Sequence, residues 1–128
     1  MNIPENLRYS KDHEWLLLDG EIATIGITDY AQKSLGDIVY VELPKVGEKF
    51  NAHEPCGSVE SVKAISEVFT PITGEVVEVN ESLNDSPELV NTDPYGQAWM
   101  VKMKVQDKDE INSLLTAAEY EDYLKSTV

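Results

Sequence analysis

A mainly β fold with short helices attached is what this 128-residue chain predicts, and three stretches carry the prediction. Trp15-Leu16-Leu17-Leu18 runs into Asp19-Gly20, a hairpin-type dipeptide, and out through Glu21 to Ile27. Gly57 to Val62 and Ile65 to Phe69 read as two strands about a reversal that holds Lys63 and Ala64. Trp99 to Val105 alternates, with Trp99, Val101, Met103 and Val105 on one face and Met100, Lys102 and Lys104 on the other.

The remaining elements follow from local chemistry. Thr28 or Asp29 caps a short helix through Leu35, which Gly36 ends at a left-handed C′ position. Ile38 to Leu43 is rich in β-branched residues and stops at Pro44, which has no N–H to continue a ladder. Gly47 marks a turn, and Pro71 and Gly74 punctuate the chain before a strand over Glu75 to Val79. Ser86-Pro87-Glu88-Leu89-Val90 predicts one helical turn with Ser86 as N-cap and Pro87 at N1, and Asp93-Pro94-Tyr95-Gly96 a turn. Asp109 to Leu115 predicts a first helical piece near the C-terminus. Thr116-Ala117-Ala118-Glu119 is a capping box for the next helix, with Leu115 and Tyr120 placed to staple it. Tyr120, Tyr123 and Leu124 form an apolar stripe of the kind that packs a helix onto a sheet. Nothing in the chain reads as a linker, a low-complexity stretch or a solenoid repeat, so one domain over residues 1–128 is expected.

Composition narrows the function. Hydrophobic content of 41% and charged content of 27% are ordinary for a soluble globular chain, but a net charge of −14 is not. That charge repels nucleic acid and anionic membrane; it suits equally a monomer steered onto basic patches of larger enzymes and an abundant protein simply kept soluble. Cys56 is the only cysteine, which excludes an intrachain disulfide and favours a reducing compartment. His53 and Cys56 have the spacing of half a zinc site and no second pair. The N-terminus has neither the basic nor the apolar segment of a targeting peptide, and no run is long enough to span a bilayer. The expected location is the cytoplasm of a bacterium or archaeon, ahead of a mature mitochondrial form.

Motifs for a serine nucleophile, a zinc hydrolase, a P-loop or a dinucleotide site are absent. His13 and Glu14 are neighbours, but neighbours on a strand point to opposite faces. What stands out is Lys63 at the hairpin tip, with Gly74 marking a return strand eleven residues on. A lysine so displayed is open to acylation, which would remove its charge and add a flexible chain. The same lysine also fits an ordinary solvated residue guarding a strand edge. The residues alone leave both readings standing.

The motifs in order go further. Tyr9-Ser10-Lys11-Asp12-His13-Glu14-Trp15, Gly26 to Gln32, Leu35-Gly36-Asp37-Ile38-Val39, Val41-Glu42-Leu43-Pro44 and Val46-Gly47 come first. Glu60-Ser61-Val62-Lys63-Ala64, Gly74 to Asn80, Pro87-Glu88-Leu89-Val90-Asn91, Asp93-Pro94-Tyr95-Gly96 and Trp99-Met100 follow. In this order and spacing the chain resembles the H proteins of the glycine cleavage system almost from end to end. Asn51 to Cys56 matches no family pattern, and Glu67 stands where members often have Asp.

The resemblance implies a lipoyl/biotinyl-domain-like fold, a flattened β-sandwich or barrel-sandwich hybrid, with lipoic acid in amide linkage on Lys63. It implies a carrier rather than an enzyme. Such a carrier shuttles an aminomethyl group from the glycine decarboxylase (P protein) to the tetrahydrofolate-dependent aminomethyltransferase (T protein), and the dihydrolipoamide dehydrogenase (L protein) reoxidises it. Lipoate-attaching enzymes are further implied partners. Ser10, Glu14 and Glu67 are the implied contacts for the amine on the loaded arm. An H-like lipoate donor serving other lipoyl domains is the alternative within the family. A biotin carrier would have Met on both sides of its lysine, whereas Lys63 has Val62 and Ala64. Lipoyl domains of 2-oxoacid dehydrogenases usually show Asp-Lys-Ala at that tip.

Overall fold

Two antiparallel sheets share the apolar face of the chain, which a computed structural model describes over residues 2–126. The larger has six strands in the order β1 (Arg8–Tyr9), β2 (Glu14–Asp19), β3 (Ile22–Ile27), β9 (Val101–Val105), β8 (Gly74–Val79) and β5 (Lys49–Phe50). The smaller is β4 (Ile38–Glu42), β6 (Pro55–Ser61) and β7 (Ile65–Phe69), with β7 an open edge. Helices α1 (Asp29–Leu35), α2 (Ser82–Asp85), α3 (Leu89–Thr92), α4 (Asp109–Asn112) and α5 (Ala117–Ser126) fill the connections and the C-terminus. This is the mainly β architecture with short helices that the sequence predicts.

One core joins the sheets. Leu16, Ala23, Ile25, Val76, Val101 and Met103 come from the large sheet, and Ile38, Val41, Val59 and Val68 from the small one. Alternation explains the contributions: in β9, Val101, Met103 and Val105 are buried while Lys102 and Lys104 are not. A second cluster of Leu7, Tyr9, Trp15 and Tyr120 ties α5 to β1 and β2, with Leu115, Tyr123 and Leu124 packed around it. The capping box forms as predicted: Thr116 N–H donates to Glu119 Oε1 at 2.9 Å and Glu119 N–H to Thr116 Oγ1 at 3.2 Å. Among the described residues no helix is long and apolar enough to cross a membrane.

Several local expectations shift. The first hairpin turns on Gly20-Glu21, since Asp19 pairs with Ile22, and Gly20 takes the positive φ (63°) that such a two-residue loop requires. Gly36 does follow α1, but at φ 86° and ψ −157°, an extended mirror conformation rather than the left-handed helical one. Ser86 is not an N-cap; it is the C-cap of α2, its N–H donating to the Ser82 carbonyl at 2.9 Å. A separate turn, α2, precedes it, and α3 begins only at Leu89, with Leu89 N–H bonded to the Ser86 carbonyl at 3.1 Å. The first helical piece near the C-terminus stops at Asn112 rather than Leu115. Met100 was expected opposite Val101, yet both are buried, because Met100 lies before the strand and reaches the core from the connecting segment. His13 also stands outside β2, at φ 68°, so its separation from Glu14 arises from a turn and not from strand alternation.

Candidate functional site

The tip of the β6–β7 hairpin is built by one serine. Ser61 is buried, and its N–H donates to the Ala64 carbonyl at 2.8 Å. Its Oγ accepts from the N–H of Ala64 at 3.1 Å and of Lys63 at 3.3 Å. The remaining tip amide, Val62 N–H, donates to the Asp37 carbonyl at 3.2 Å, which anchors the tip to the junction between α1 and β4. The loop is therefore held by its own side chain and by a neighbour, while Lys63 projects exposed from it. No ion pair involves Lys63 among the described residues. Lys63 Cε lies beside Gly36, 3.6 Å from where a Cβ there would stand. The sequence singles out Lys63 at this tip but not Ser61, whose signal is a serine two residues earlier, at the first position of the turn.

The surface around the tip is apolar with acid beneath it. Val62 is 73% exposed, Ile65 69%, Tyr40 51% and Val39 48%, large values for such side chains. Register places Tyr40, Glu60 and Ile65 in one row across the small sheet, and Glu42, Ser58 and Glu67 two rows on, past Val41, Val59 and Ser66.

At the far end of β7 lies a buried carboxyl. Glu14 accepts from Ser10 Oγ–H at 2.5 Å and from the Phe69 N–H at 3.3 Å, and Glu14 N–H donates to Ser10 Oγ at 3.1 Å. Glu14 is 2% exposed and Ser10 4%. Burial lifts the Glu14 carboxyl to about 7; the bonds from Ser10 and Phe69 oppose the rise, and the charge of Asp12 adds to it. Ser10 and Glu14 are thus one unit at the open edge of β7. Glu67 is exposed, two residues earlier on the same strand, and shares no hydrogen bond with either. The β7 strand spans about 13 Å from Ile65 to Phe69 at about 3.3 Å per residue. The length of that strand is comparable to the reach of an acylated lysine arm, about 10–15 Å.

Other polar groups support rather than react. His13 Nδ1 lies 2.9 Å from Tyr120 Oη, which lies 2.8 Å from Thr28 Oγ1, and that oxygen caps α1 by accepting from Ala31 N–H at 3.2 Å. Burial lowers the His13 pKa against the pull of Asp12 and raises that of Tyr120. Cys56 is buried, its thiol pushed up to about 12 by burial and by the Glu14 charge, so it packs as a small apolar side chain. The described residues hold no group of His, Cys, Asp and Glu arranged for a metal.

Comparison with known proteins agrees with this geometry. The family model for the glycine cleavage H-protein matches residues 7–127. The glycine cleavage system H protein of Geobacillus kaustophilus is 61% identical over 121 residues, covering 94% of this chain and 95% of that protein. The H protein of Halothermothrix orenii is 54% identical over 125 residues, with 98% of each chain covered. The crystal structure of the H protein from Mycobacterium marinum superposes with a TM-score of 0.89 at 40% identity, over 96% of this chain and 99% of the other. With a match of this length, on a β fold that displays a lysine at a rigid hairpin tip, the chain belongs to the glycine cleavage H-protein family, the lipoyl carriers of the glycine cleavage system.

Proposed function

We propose that Lys63 is the attachment point, carrying lipoic acid as an amide on Nζ, and that the chain works as a non-catalytic shuttle among the enzymes of glycine cleavage. The observation that carries this is the tip itself. Ser61 fixes the turn and the Asp37 carbonyl anchors it, so an exposed, unpaired ammonium is presented to an attaching enzyme at little ordering cost. Acylation takes the formal net charge from −14 to −15.

The lipoyl group supplies a reversible disulfide on a long flexible arm; the protein supplies display, docking and shelter. Val62, Ile65 and Tyr40 give partner enzymes an apolar contact around the arm's root, and Glu42, Glu60 and Glu67 set its charge. The partners on this reading are the glycine decarboxylase, the aminomethyltransferase, the dihydrolipoamide dehydrogenase and the lipoate-attaching enzymes. The carrier acts as a monomer in the cytoplasm.

Glu14 is the proposed acceptor for the ammonium of the loaded arm. A carboxyl with its pKa near 7 is easily ionised by a nearby cation, and Ser10 holds it in place. Glu67 is the outer contact, passed on the way along β7. Loss of the bound aminomethyl group should therefore be faster in Glu14→Gln, measured as formaldehyde and ammonia release; a loss rate equal to wild type would remove Glu14 from this role.

The function is tested by reconstitution. The lipoylated chain added to the three enzymes should support glycine-dependent CO₂ release and methylene-tetrahydrofolate formation, and Lys63→Arg should support neither. Equal activity from Lys63→Arg would refute the proposal.

A further inference from the structure

Asn91 closes the stretch Pro87-Glu88-Leu89-Val90-Asn91, and its side chain is committed to one place, the junction of α1 and β4. Asn91 Oδ1 accepts from Ile38 N–H at 2.8 Å, and Nδ2 donates to the Gly36 carbonyl at 2.9 Å and to Gln32 Oε1 at 3.0 Å. Gln32 is fixed in turn, donating from Nε2 to Asp29 Oδ1 at 2.7 Å. Rotating the Asn91 amide by half a turn would set its oxygen against two oxygens and its NH₂ against an N–H, so only one orientation satisfies all three partners.

The two backbone groups that Asn91 holds flank Asp37. The Asp37 carbonyl is the acceptor for Val62 N–H, the one amide at the hairpin tip that Ser61 does not organise. Gly36 is also the residue against which the Lys63 stem lies. Its φ of 86° with ψ of −157° belongs to a region that is essentially glycine-only, so the chain cannot relax there by small torsional shifts of an ordinary residue. A helix more than fifty residues away in sequence thus fixes the wall beside the lysine and the anchor of its loop.

We infer that Asn91 is a positioning residue for the modification of Lys63: it brackets the Gly36–Ile38 corner so that the tip is held in the one arrangement an attaching enzyme recognises. This rests on Lys63 as the lipoylated residue. Asn91→Asp keeps the acceptor for Ile38 N–H but turns both donors into an oxygen facing the Gly36 carbonyl and Gln32 Oε1. If the competent tip then falls to about one tenth of the population, the apparent KM of a lipoate–protein ligase for the unmodified chain rises about tenfold, with kcat little changed. Hydrogen exchange at Val62 N–H should quicken in the same variant.

A general loss of stability is separated by Val90→Ala. Val90 is buried in the adjoining position of the same helix, and its truncation weakens the core without touching the bracket. The expected result is a raised KM and faster Val62 exchange in Asn91→Asp, with KM at the wild-type value in Val90→Ala. If Asn91→Asp does not fold, Asn91→Ala deletes all three bonds without adding a charge and carries the test. Wild-type KM and exchange in the Asn91 variant would overturn the inference, as would an equal rise in KM in Val90→Ala. Failure of the wild-type chain to accept lipoate at all would instead refute the assignment of Lys63. Exchange at Val62, read on the unmodified protein, would then decide the bracket alone.

Discussion

Glu14 is the residue whose environment makes the sharpest claim. Its carboxyl is moved by burial from 4.5 to about 7, so the native state holds the proton more tightly than the unfolded chain does. The contribution of a group raised in this way is complete below the unfolded value and is lost as pH rises through the folded one. The shift corresponds to about 3 kcal/mol. Glutamine does not titrate, so the stability of Glu14→Gln relative to wild type should improve by about 3 kcal/mol between about pH 4 and about pH 8. Denaturant unfolding at the two pH values measures it, and a difference that stays constant would show that Glu14 is not desolvated. Glu14 entered the sequence reading through its motif. Its burial and its bond to Phe69 did not, because those depend on β2 meeting an edge fifty-five residues away.

At the scale of the element, the hairpin tip and the helix ends carry most of the local information. The capping box at Thr116–Glu119 and the Thr28 cap were legible because each is completed within four residues. The two-residue strands β1 and β5 are too short to show a period, and α2 buries only Leu83. Pro87 suggested a helix start that the chain places two residues later, since Ser86 gives its carbonyl and not its hydroxyl to the turn. The positive φ angles of His13 and His53 had no sequence signal at all. At the tip, Ser61→Ala removes the hydroxyl that organises Lys63 N–H and Ala64 N–H. Thermal unfolding should show a loss of about 1 kcal/mol, and lipoylation should slow by more than that loss explains. Lipoylation at the wild-type rate would mean that the turn does not depend on its serine. Gly36→Ala should cost about 1–3 kcal/mol, because no residue with a Cβ takes its backbone angles without strain.

For the whole molecule, the shared core and the charge matter most. Leu16 and Ile25 of one sheet lie in the same cluster as Val41 and Val59 of the other, so the proposed single domain should unfold as one unit. Tryptophan fluorescence and far-ultraviolet circular dichroism should give coincident transitions; separated midpoints would argue for two units. The fold class was legible because two strand pairs advertise themselves by their turns and a further strand by its alternation. The division into two sheets was not, since it depends on which strands meet across the core. The charge of −14 predicts that association with basic partner surfaces is steered. Raising ionic strength from about 0.05 M to about 0.5 M should slow capture by the partner enzymes about tenfold, and a salt-independent rate would assign the charge to solubility alone.

The central claim is that Lys63 carries the lipoyl group, and peptide mass spectrometry tests it most directly. The purified chain is incubated with lipoate, ATP and a lipoate–protein ligase, digested, and compared with Lys63→Arg treated in the same way. A lipoyl-sized gain is expected on the peptide containing Lys63 and none in the variant. No gain, a gain on Lys102, or modification by biotin in place of lipoate would contradict it.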